Sequence, residues 1–570
     1  MILLGKPWIL AFVALLVLSL FSLKDLSKPG FYTNHDGETH TARIAQYYQA
    51  LKDGQLPPRF ANSFYNGLGS PIFVYIYPVP YALGSLIHAL GISYVNSFKL
   101  LMFLGFFASS LTAYVWLKEV FKSEKAAFLG ALFYIWVPYR FSLVFVRASV
   151  SELIAYIFVP LTLFILSKLS QKPNLKWTAT NAISFSLILL SQNLVALLSI
   201  PIIGVYAIIL TAKSRSKKYF FLSTASAIWG FAIAQITYLP SQLELKYVRF
   251  SENINNTFVD HFVTLKQLIR SPWDYGFDLP GTVNDTLSFQ IGLAQILVVG
   301  LAIVTVAVMV FRKTKMNTTL FLAIFFLIVF FVCIFLMVPT KPNLYVWQHF
   351  KPMLFIDIPW RLLGICALSA SFLAAFVAKN IKPGIVFIFL IAFVIFANRN
   401  HLRINQSRIL DDNYFDKYTG TATQYNEFTP KSRQTTRVPE GFKLEEKIDT
   451  IEGDAQVTNL QTNSKKTKFN LEVHSPTSQI RINKFYFPNT RVTQDGKILE
   501  VSKDFVVTDA NSLDVSTQKD ASGLIQLSVA EGFHEITVEY KDTPVRTYAN
   551  IIFSASLLLA LFVILKNAKI

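Results

Sequence analysis

The sequence predicts a polytopic α-helical membrane protein with about 12–13 transmembrane helices, an external β-sandwich-like domain near the C-terminus and a final transmembrane helix. Of its 570 residues, 53% are hydrophobic and only 15% are charged, whereas soluble proteins carry about 25% charged residues. The polar stretch 398–547 instead has the alternating pattern of strands. Most of the chain therefore lies in lipid.

The formal net charge of +18 does not indicate nucleic-acid binding here. Lys and Arg are divided among short loops between apolar runs, which is typical of membrane orientation. The two cysteines, Cys333 and Cys366, both lie in apolar runs, so the sequence offers neither a disulfide framework nor a cysteine metal site. We expect the lipid bilayer, and no nucleic acid, among the partners.

The first apolar run, 7–23, is long enough to cross a bilayer, and no small-residue cleavage site follows it. It is expected to be a retained span or signal anchor. In the polar segment after it, 39–51 has apolar residues at helical spacing, which predicts a short helix on the membrane surface. The stretch 65–71 is rich in turn-forming residues.

Eleven more apolar runs precede the β-rich stretch and one follows it. They are 71–91, 98–117, 126–138, 152–167, 178–193, 196–212, 219–239, 289–311, 318–338, 360–378, 383–397 and 548–565. Pro78 and Pro80 interrupt the run 71–91, so we expect it to be re-entrant or interfacial. About 12 full spans then remain, or about 13 if 71–91 also crosses.

The basic loops predict the orientation, because Lys and Arg concentrate on the cytoplasmic side. These loops are 118–125, 168–176, 213–218, 312–315, 379–382 and 566–569. The other side then receives 24–70, 139–151, 240–288, 339–359 and 398–547. We expect a multi-pass protein of the cell (plasma) membrane with these segments on the extracytoplasmic side.

The stretch 398–547 changes character. Segments 468–473 and 535–540 alternate apolar and polar residues, and turn-forming pairs stand at 495–496 and 531–532. This pattern is typical of an antiparallel β domain, most simply a sandwich. The long loop 240–288 could cover an external site or simply pack on its neighbours.

The first candidate site follows the first span. Four ionisable side chains, His35, Asp36, Glu38 and His40, lie within six residues, and Arg43 follows. Such a group can be a solvated loop at a helix end. Alternatively, a carboxylate here can act as general base for an acceptor hydroxyl, and together with His it could hold a divalent metal ion.

Further charged residues are expected on the same side. Arg147 and Glu152 flank the start of a span, and either form a loop-closing ion pair or leave Arg147 for a lipid phosphate. Arg361 begins another span and either snorkels or binds the same phosphate, with Lys351 nearby in sequence. Cationic groups beside one carboxylate suit a lipid-linked phosphate substrate. No nucleotide-binding motif is present.

The order of these segments resembles that of the GT-C superfamily of membrane glycosyltransferases. One span is followed by an external loop with an early acidic residue, then by a juxtamembrane helix and then by many spans. Within it the chain looks most like a bacterial branch of YfhO-like proteins and proteins labelled "6-pyruvoyl-tetrahydropterin synthase-related". The matching positions are 35–36, 65–71, 138–140, 147–149 with Glu152, 359–361, 426–430, 486–488, 495–497 and 531–534.

The resemblance implies three regions: a GT-C-like transmembrane domain over 1–397 with the active site in loop 24–70, an extracytoplasmic β-rich domain over 398–547, and a C-terminal helix over 548–570. It implies a hexosyl- or pentosyltransferase that passes a sugar from a polyprenyl-phosphate donor to an envelope glycan, lipid or protein. Asp36 would be general base or metal ligand, and Glu152 the second acidic residue.

The remaining roles complete that hypothesis. His35 would assist catalysis, and the substrate would be bound by the residues Glu38, His40, Arg43, Arg147, Lys351 and Arg361. A divalent ion, Mg or Mn, would be held by Asp36 and Glu152 if the enzyme uses one. The alternatives are a transporter or flippase for a lipid-linked glycan and a non-catalytic envelope-assembly protein.

Overall fold

The computed structural model describes residues 7–252, 257–281, 285–381, 384–420, 423, 426–431, 447–499 and 523–566. Long apolar helices form a bundle, and a β sheet stands near one of its ends. The helices are α1 (Pro7–Ser22), α2 (Gly37–Lys52), α3 (Ile72–Tyr75), α4 (Val79–Ala89), α5 (Tyr94–Phe121), α6 (Glu124–Ile135), α7 (Pro138–Phe141), α8 (Val150–Gln171), α9 (Leu175–Leu189), α10 (Asn193–Ser214), α11 (Lys217–Glu244), α12 (Leu265–Ile269), α13 (Leu293–Phe311), α14 (Thr318–Met337), α15 (Lys341–His349), α16 (Leu363–Asn380), α17 (Gly384–Asn398), α18 (Asp412–Asp416) and α19 (Pro544–Lys566).

Nine helices in the described part of the chain are long and apolar enough to cross a bilayer. They are α5, α8, α10, α11, α13, α14, α16, α17 and α19, where α11, α16 and α17 are counted with the 3-10 turns that adjoin them, as Lys217–Tyr247, Pro359–Asn380 and Gly384–His401. A tenth span arises if α6 is counted with the bent segment Pro138–Val146, which follows it at an angle of 53°. The protein is therefore a multi-pass membrane protein.

In the described part of the chain, fewer helices reach spanning length than the roughly 12–13 expected. All of the apolar runs expected to cross fold as helices, but α9 has only 15 residues, and α1 has 16 counted from residue 7, where the described chain begins. At 1.5 Å per residue, α9 rises only about 22 Å, which is less than the roughly 30 Å hydrocarbon layer. The turn 190–192 that ends α9 is buried, and its residue Gln192 lines the cavity described below.

The run 71–91 forms two short helices, α3 and α4, and neither is long enough to cross a bilayer. Helix α4 packs instead on α2, where the Ser85 hydroxyl donates to the Ile44 carbonyl at 3.2 Å. A Cβ at Gly84 would lie 2.6 Å from the Ile44 side chain, so the two helices meet closely there. Helix α2 itself is the short helix predicted over 39–51.

The two ends of the bundle differ in charge. At the end that we call the basic end, Glu119 accepts hydrogen bonds from Lys122, Lys168 and Gln171. The opposite end, which we call the site end, holds the start of α2, the start of α8 and the start of α16. Helix α8 runs from one end to the other, since its first turn carries Glu152 and its last turn carries Lys168.

The strands are β1 (Phe31–Tyr32), β2 (Ser407–Arg408), β3 (Ile448–Glu452), β4 (Ala455–Thr462), β5 (Lys466–Phe485), β6 (Thr490–Gln494), β7 (Lys497–Leu499) and β8 (Leu524–Tyr540). The first two pair with each other, and β3–β8 form one antiparallel sheet in the order β3-β5-β8-β6-β7, with β4 on the same edge of β5 as β3. The predicted strands 468–473 and 535–540 are confirmed, and they pair with each other.

The sandwich-like core comes from one sheet rather than two among the described residues. Strands β5 and β8 have 20 and 17 residues, and their register shifts between Val473 and Thr477. The pair bends there, so that both halves contribute to one cluster. That cluster contains Phe469, Leu471, Val473, Ile480, Ile482, Val492, Ile525, Leu527, Val529, Ile536 and Val538.

Of the two predicted turns, one is confirmed and one is wrong. Asp495 and Gly496 have φ angles of 50° and 78° and join β6 to β7 as a tight hairpin. The pair 531–532 instead lies inside β8, where Gly532 has a φ of 132° at the bend. A glycine can serve either purpose, since both need a backbone that other residues rarely adopt.

The β sheet is attached to the loop after α2. The Phe485 N–H donates to the Leu68 carbonyl at 2.9 Å, and Asp53 accepts from the Ser464 N–H at 2.7 Å. The side chains of Phe485, Phe487 and Leu524 join the core of the helical bundle rather than that of the sheet. The sheet therefore packs directly against the segment that carries the candidate site.

Candidate functional site

At the start of helix α2, the Asp36 carboxylate is not used to cap the helix. Asp36 occupies the N-cap position but makes no capping hydrogen bond with its side chain. The side chain of Asn34 takes that role and accepts from the Gly37 N–H at 2.7 Å. The Asp36 side chain remains 47% exposed, so its oxygens are available to a ligand.

Backbone pairing between two loops brings Asp36 beside Arg147. The N–H groups of His35 and Asp36 donate to the carbonyls of Val146 and Arg147 at 3.0 and 2.9 Å. As a result, Arg147 Nη2 lies 3.8 Å from Asp36 Oδ2. Ala148, with a φ of 54°, turns the second loop at this point.

Glu152, at the start of α8, is the buried centre of the site. Its Oε1 accepts from Arg147 Nη1 at 2.7 Å, and its Oε2 accepts from the Tyr139 hydroxyl at 2.8 Å. Arg361 Nε lies 4.0 Å from the same Oε1. Because the Glu152 side chain is only 2% exposed, its charge balances these guanidinium groups inside the protein.

Arg361 starts the span that contains α16. Its Nη2 lies 3.7 Å from Asp357, and its buried Nε has no hydrogen-bond partner in the described part of the chain. The neighbouring Trp360 ring lies 5.1 Å from the Arg147 guanidinium, a cation–π distance. Arg361 also lines the cavity, and its ion-pair distances of 3.7 and 4.0 Å are longer than the 2.7 Å contact of Arg147 with Glu152. Its guanidinium group is therefore less tightly held than that of Arg147.

The loop between α12 and α13 reaches the site from the outside. His35 Nε2 contacts the Tyr275 carbonyl at 3.2 Å, and its ring stacks on Phe277 with centroids 4.3 Å apart. Asp278 Oδ2 lies 2.7 Å from His261 Nδ1 and accepts from the Trp360 indole. The described parts of the long loop 240–288 thus include one wall of the cavity.

Helices α2 and α4 provide the opposite wall. The Tyr81 hydroxyl accepts from Arg43 at 2.9 Å and contacts His40 Nδ1 at 3.1 Å. The Tyr77 hydroxyl donates to Ser151 at 3.0 Å and so connects this wall to the start of α8. These tyrosines fix the side chains that extend from α2.

Together these groups enclose one cavity of about 540 Å³. Seven of the nine predicted site residues line it: His35, Asp36, His40, Arg43, Arg147, Glu152 and Arg361. Its ionisable lining also includes Asp278 and Asp357, so four carboxylates face three guanidinium groups. The carboxylates outnumber the guanidinium groups by one over the whole lining. A negatively charged ligand would therefore bind locally, at Arg147 and Arg361, with Asp36 beside them for proton transfer.

The other two predicted residues are placed elsewhere. Glu38 accepts hydrogen bonds from Arg408 and Tyr414 and is absent from the cavity lining, because two helical residues after Asp36 the chain faces the opposite way. Lys351 begins a short 3-10 turn, is exposed, and does not line the cavity either.

Several lining residues were not among the predicted site residues, such as Tyr77, Gln192, His261, Asp278 and Tyr418. Tyr77 and Gln192 lie at helix boundaries inside apolar runs, so hydropathy alone does not indicate that their side chains belong to a site. His261 and Asp278 belong to the long loop 240–288. The pair Asp260-His261 was one of its ionisable features in the sequence, whereas only the length of the loop indicated a role for the part that contains Asp278.

The pKa values of the three histidines of the site are shifted in different directions. Burial lowers the pKa of His35, and hydrogen-bond contact with Tyr275 only partly offsets it. Burial, with the positive charges of Arg43 and Arg147, holds the pKa of His40 well below its usual range. Contact with Asp278 instead raises the pKa of His261. At neutral pH, His35 and His40 are therefore neutral.

The residues present do not form a set that would hold a metal ion with Asp36 and Glu152 together. Both Glu152 oxygens already bind protein donors, namely Arg147 and Tyr139. Within the described ranges no three His, Cys, Asp or Glu side chains are grouped to hold an ion. Glu152 is better placed as the counter-charge of the guanidinium pair.

No protein-family model matches the sequence, and no curated protein matches it. Two solved structures of the arabinofuranosyltransferase AftD from Mycobacteria, one of them a mutant, resemble the fold with a TM-score of 0.42 each. Their identities are 15% and 16%; the alignments cover 68% and 69% of this chain and 26% and 28% of the neighbours. The chain thus spans little more than a quarter of their length.

Proposed function

We propose that this protein is a membrane glycosyltransferase of the GT-C type. It would transfer a sugar from a polyprenyl-phosphate donor to a hydroxyl or amine of an extracytoplasmic glycan, lipid or protein. One observation supports this proposal most strongly: a single cavity at the site end places the half-exposed Asp36 carboxylate 3.8 Å from the Arg147 guanidinium, with Arg361 beside it. This combination suits departure of a phosphate and activation of an acceptor in one place.

In the proposed reaction the bond between the anomeric carbon and the donor phosphate oxygen breaks. A bond forms between that carbon and the acceptor oxygen or nitrogen, whose proton passes to the Asp36 carboxylate. The electron pair of the broken bond stays on the phosphate oxygen, where positive charge stabilises it. Atoms and charge balance without any further reactant.

The two guanidinium groups would share the phosphate unequally. Arg147 is 6% exposed and already donates to Glu152, so it contributes mainly electrostatic stabilisation. Arg361 is 16% exposed and its distances to Asp357 and Glu152 are 3.7 and 4.0 Å, so it is the better candidate for direct contact with the phosphate. Glu152 would hold both groups in position rather than act on the sugar.

The β sheet would bind or present the acceptor. It contacts the loop after α2 through Phe485 and Ser464, next to the helix that carries Asp36. The segment that follows α18 adds Tyr418 to the cavity lining. An acceptor held by the sheet would therefore approach the cavity from the site end.

The test is sugar transfer by the purified protein in lipid nanodiscs. A panel of radiolabelled polyprenyl-phosphate sugars is offered with cell-envelope extract as acceptor, and wild type is compared with Asp36→Asn. The matched control is Glu472→Gln, which makes the same carboxylate-to-amide change at an exposed position on β5. We expect transfer in wild type and the control, and a loss of at least about 100-fold in Asp36→Asn.

Equal turnover in Asp36→Asn and wild type would remove Asp36 as the base. Donor binding without turnover across the panel would contradict the transferase and favour a transporter for a lipid-linked glycan.

A further inference from the structure

A second recess, separate from the catalytic cavity, lies between the C-terminal ends of α1 and α17. It has a volume of about 500 Å³ and shares no lining residue with the catalytic cavity. We call it the α1–α17 groove. Its apolar part is formed by the side chains of Phe21, Ala392, Ile395, Phe396 and Leu402.

All the ionisable residues that line the α1–α17 groove are cations. They are Lys24, Arg399 and Arg403. By contrast, the catalytic cavity has four carboxylates. Within the described ranges none of the three cations has a carboxylate oxygen within ion-pair distance. The neighbouring Asp25 is buried and paired with Lys28.

Aromatic rings hold two of the cations at the edge of the groove. Lys24 Nζ lies 5.6 Å from the Phe21 ring centroid, and the Arg399 guanidinium lies 3.8 Å from that of Phe396. Both rings are exposed, with half or more of their surface open on the outside of the bundle. The groove therefore combines an apolar surface at membrane depth with cations where the helices leave the membrane.

These cations stand at the site end, away from the basic loops. Helix α1 leads directly to the loop that carries Asp36, and α17 leads to Arg403, whose carbonyl accepts from the Tyr275 hydroxyl at 2.8 Å. The carbonyl of the same tyrosine contacts His35. Positive charge is ordinarily concentrated at the membrane face that carries the basic loops. Three cations around an apolar groove at the opposite face therefore indicate an anionic ligand.

We infer that the α1–α17 groove binds an anionic glycerophospholipid of the surrounding bilayer, with its acyl chains along the apolar wall and its phosphate among Lys24, Arg399 and Arg403. A lipid is the ligand that combines a negative head with an apolar tail at this depth. A polyprenyl-phosphate donor bound here would have its phosphate outside the cavity that contains Asp36. The inference does not depend on the proposed enzymatic activity.

The test is lipid retention by the full chain. Purified protein is equilibrated with equal amounts of dioleoyl-phosphatidylglycerol and dioleoyl-phosphatidylcholine, and the lipids that remain bound are counted by native mass spectrometry. We expect wild type to retain phosphatidylglycerol preferentially. The triple variant Lys24→Gln, Arg399→Gln and Arg403→Gln should weaken that preference by about fivefold for each cation removed.

Two further variants separate this groove from general surface charge. Lys213→Gln, Lys313→Gln and Lys315→Gln remove three exposed cations at the basic end and should weaken the preference clearly less than the groove variant does. Ala392→Trp keeps every cation but fills the apolar wall, and it should lower the number of retained lipids. All variants are compared only as monodisperse protein with the wild-type helical circular dichroism spectrum.

Three results would overturn the inference. The first is an equal loss of preference in the two triple variants, and the second is unchanged retention in Ala392→Trp. The third is displacement of phosphatidylglycerol from wild type by an equimolar amount of farnesyl phosphate, which would assign the groove to a polyprenyl lipid instead.

Discussion

Glu152 is the buried residue that connects the charged groups at the start of α8 and α16. It is 2% exposed and receives hydrogen bonds from Arg147 and Tyr139, with Arg361 at 4.0 Å. Asp357 also approaches Arg361, at 3.7 Å, but it is 54% exposed. A buried charge that loses its partner is far more costly than an exposed one, because water cannot replace the lost contact.

We therefore predict different costs for Glu152→Gln and Asp357→Asn. The first should lower the free energy of unfolding by about 3–5 kcal/mol, and the second by about 0–1 kcal/mol. Unfolding by SDS titration in mixed micelles measures both. Equal costs would contradict the assignment of Glu152 as the buried counter-charge.

At the same scale, helical phase explains which site residues could be predicted from the sequence. Asp36, His40 and Arg43 recur at i, i+4 and i+7, so one face of α2 presents all three, and the cavity lining contains all three. Glu38 lies between them and faces Arg408 instead. The predicted proximity of Arg147 to Glu152 was local, five residues apart, and the structure has it as an ion pair of 2.7 Å.

At the scale of elements, the loop before α13 is the part of the site that local patterns could not place. Its residues Tyr275, Phe277 and Asp278 reach His35 and Trp360 only through tertiary packing. Neither the periodicity nor the spacing of residues in the sequence predicts such long-range contacts. The helices were easier to predict, because a long apolar run is a strong local signal. Their ends were harder, as the short α9 shows.

The His261–Asp278 contact makes the attachment of this loop sensitive to pH. The hydrogen-bond contact with Asp278 raises the pKa of His261, with further contributions from the charges of Asp278, Asp357 and Asp260, while burial opposes them. A raised folded-state pKa stabilises the protein fully below the unfolded value near 6.5. That stabilisation is lost as the pH rises through the folded value.

We predict that Asp278→Asn lowers the melting temperature more at about pH 6 than at about pH 8. In a His261→Gln background the same substitution should have an effect that does not change with pH, since the titrating group is gone. Melting in detergent, followed by intrinsic fluorescence at both pH values, checks this cycle. An effect of Asp278→Asn that is larger at the higher pH would contradict the assignment.

At the scale of the whole molecule, the two ends of the bundle differ in charge and in the cavities that they hold. Glu119 and the lysines around it mark the basic end, while the cavity, the β sheet and the α1–α17 groove all lie toward the site end. Positive loops on the cytoplasmic side would place the cavity outside the cell.

Labelling of one added, exposed cysteine tests this orientation. Ser214→Cys and Glu472→Cys are both at exposed positions, the first at the end of α10 and the second on β5. Since Cys333 and Cys366 are buried, a membrane-impermeant maleimide reports the new thiols. We predict labelling of Glu472→Cys in intact cells and of Ser214→Cys only after permeabilisation. The reverse pattern would contradict this orientation and place the β sheet on the cytoplasmic side.

The most direct test of the central claim is a cryo-electron microscopy structure of Asp36→Asn in nanodiscs with the donor identified in the transfer assay. The account predicts the donor phosphate within hydrogen-bonding distance of Arg361 or Arg147 and the anomeric carbon facing the side chain at position 36. Donor bound with its phosphate outside this cavity, for example in the α1–α17 groove, would contradict it.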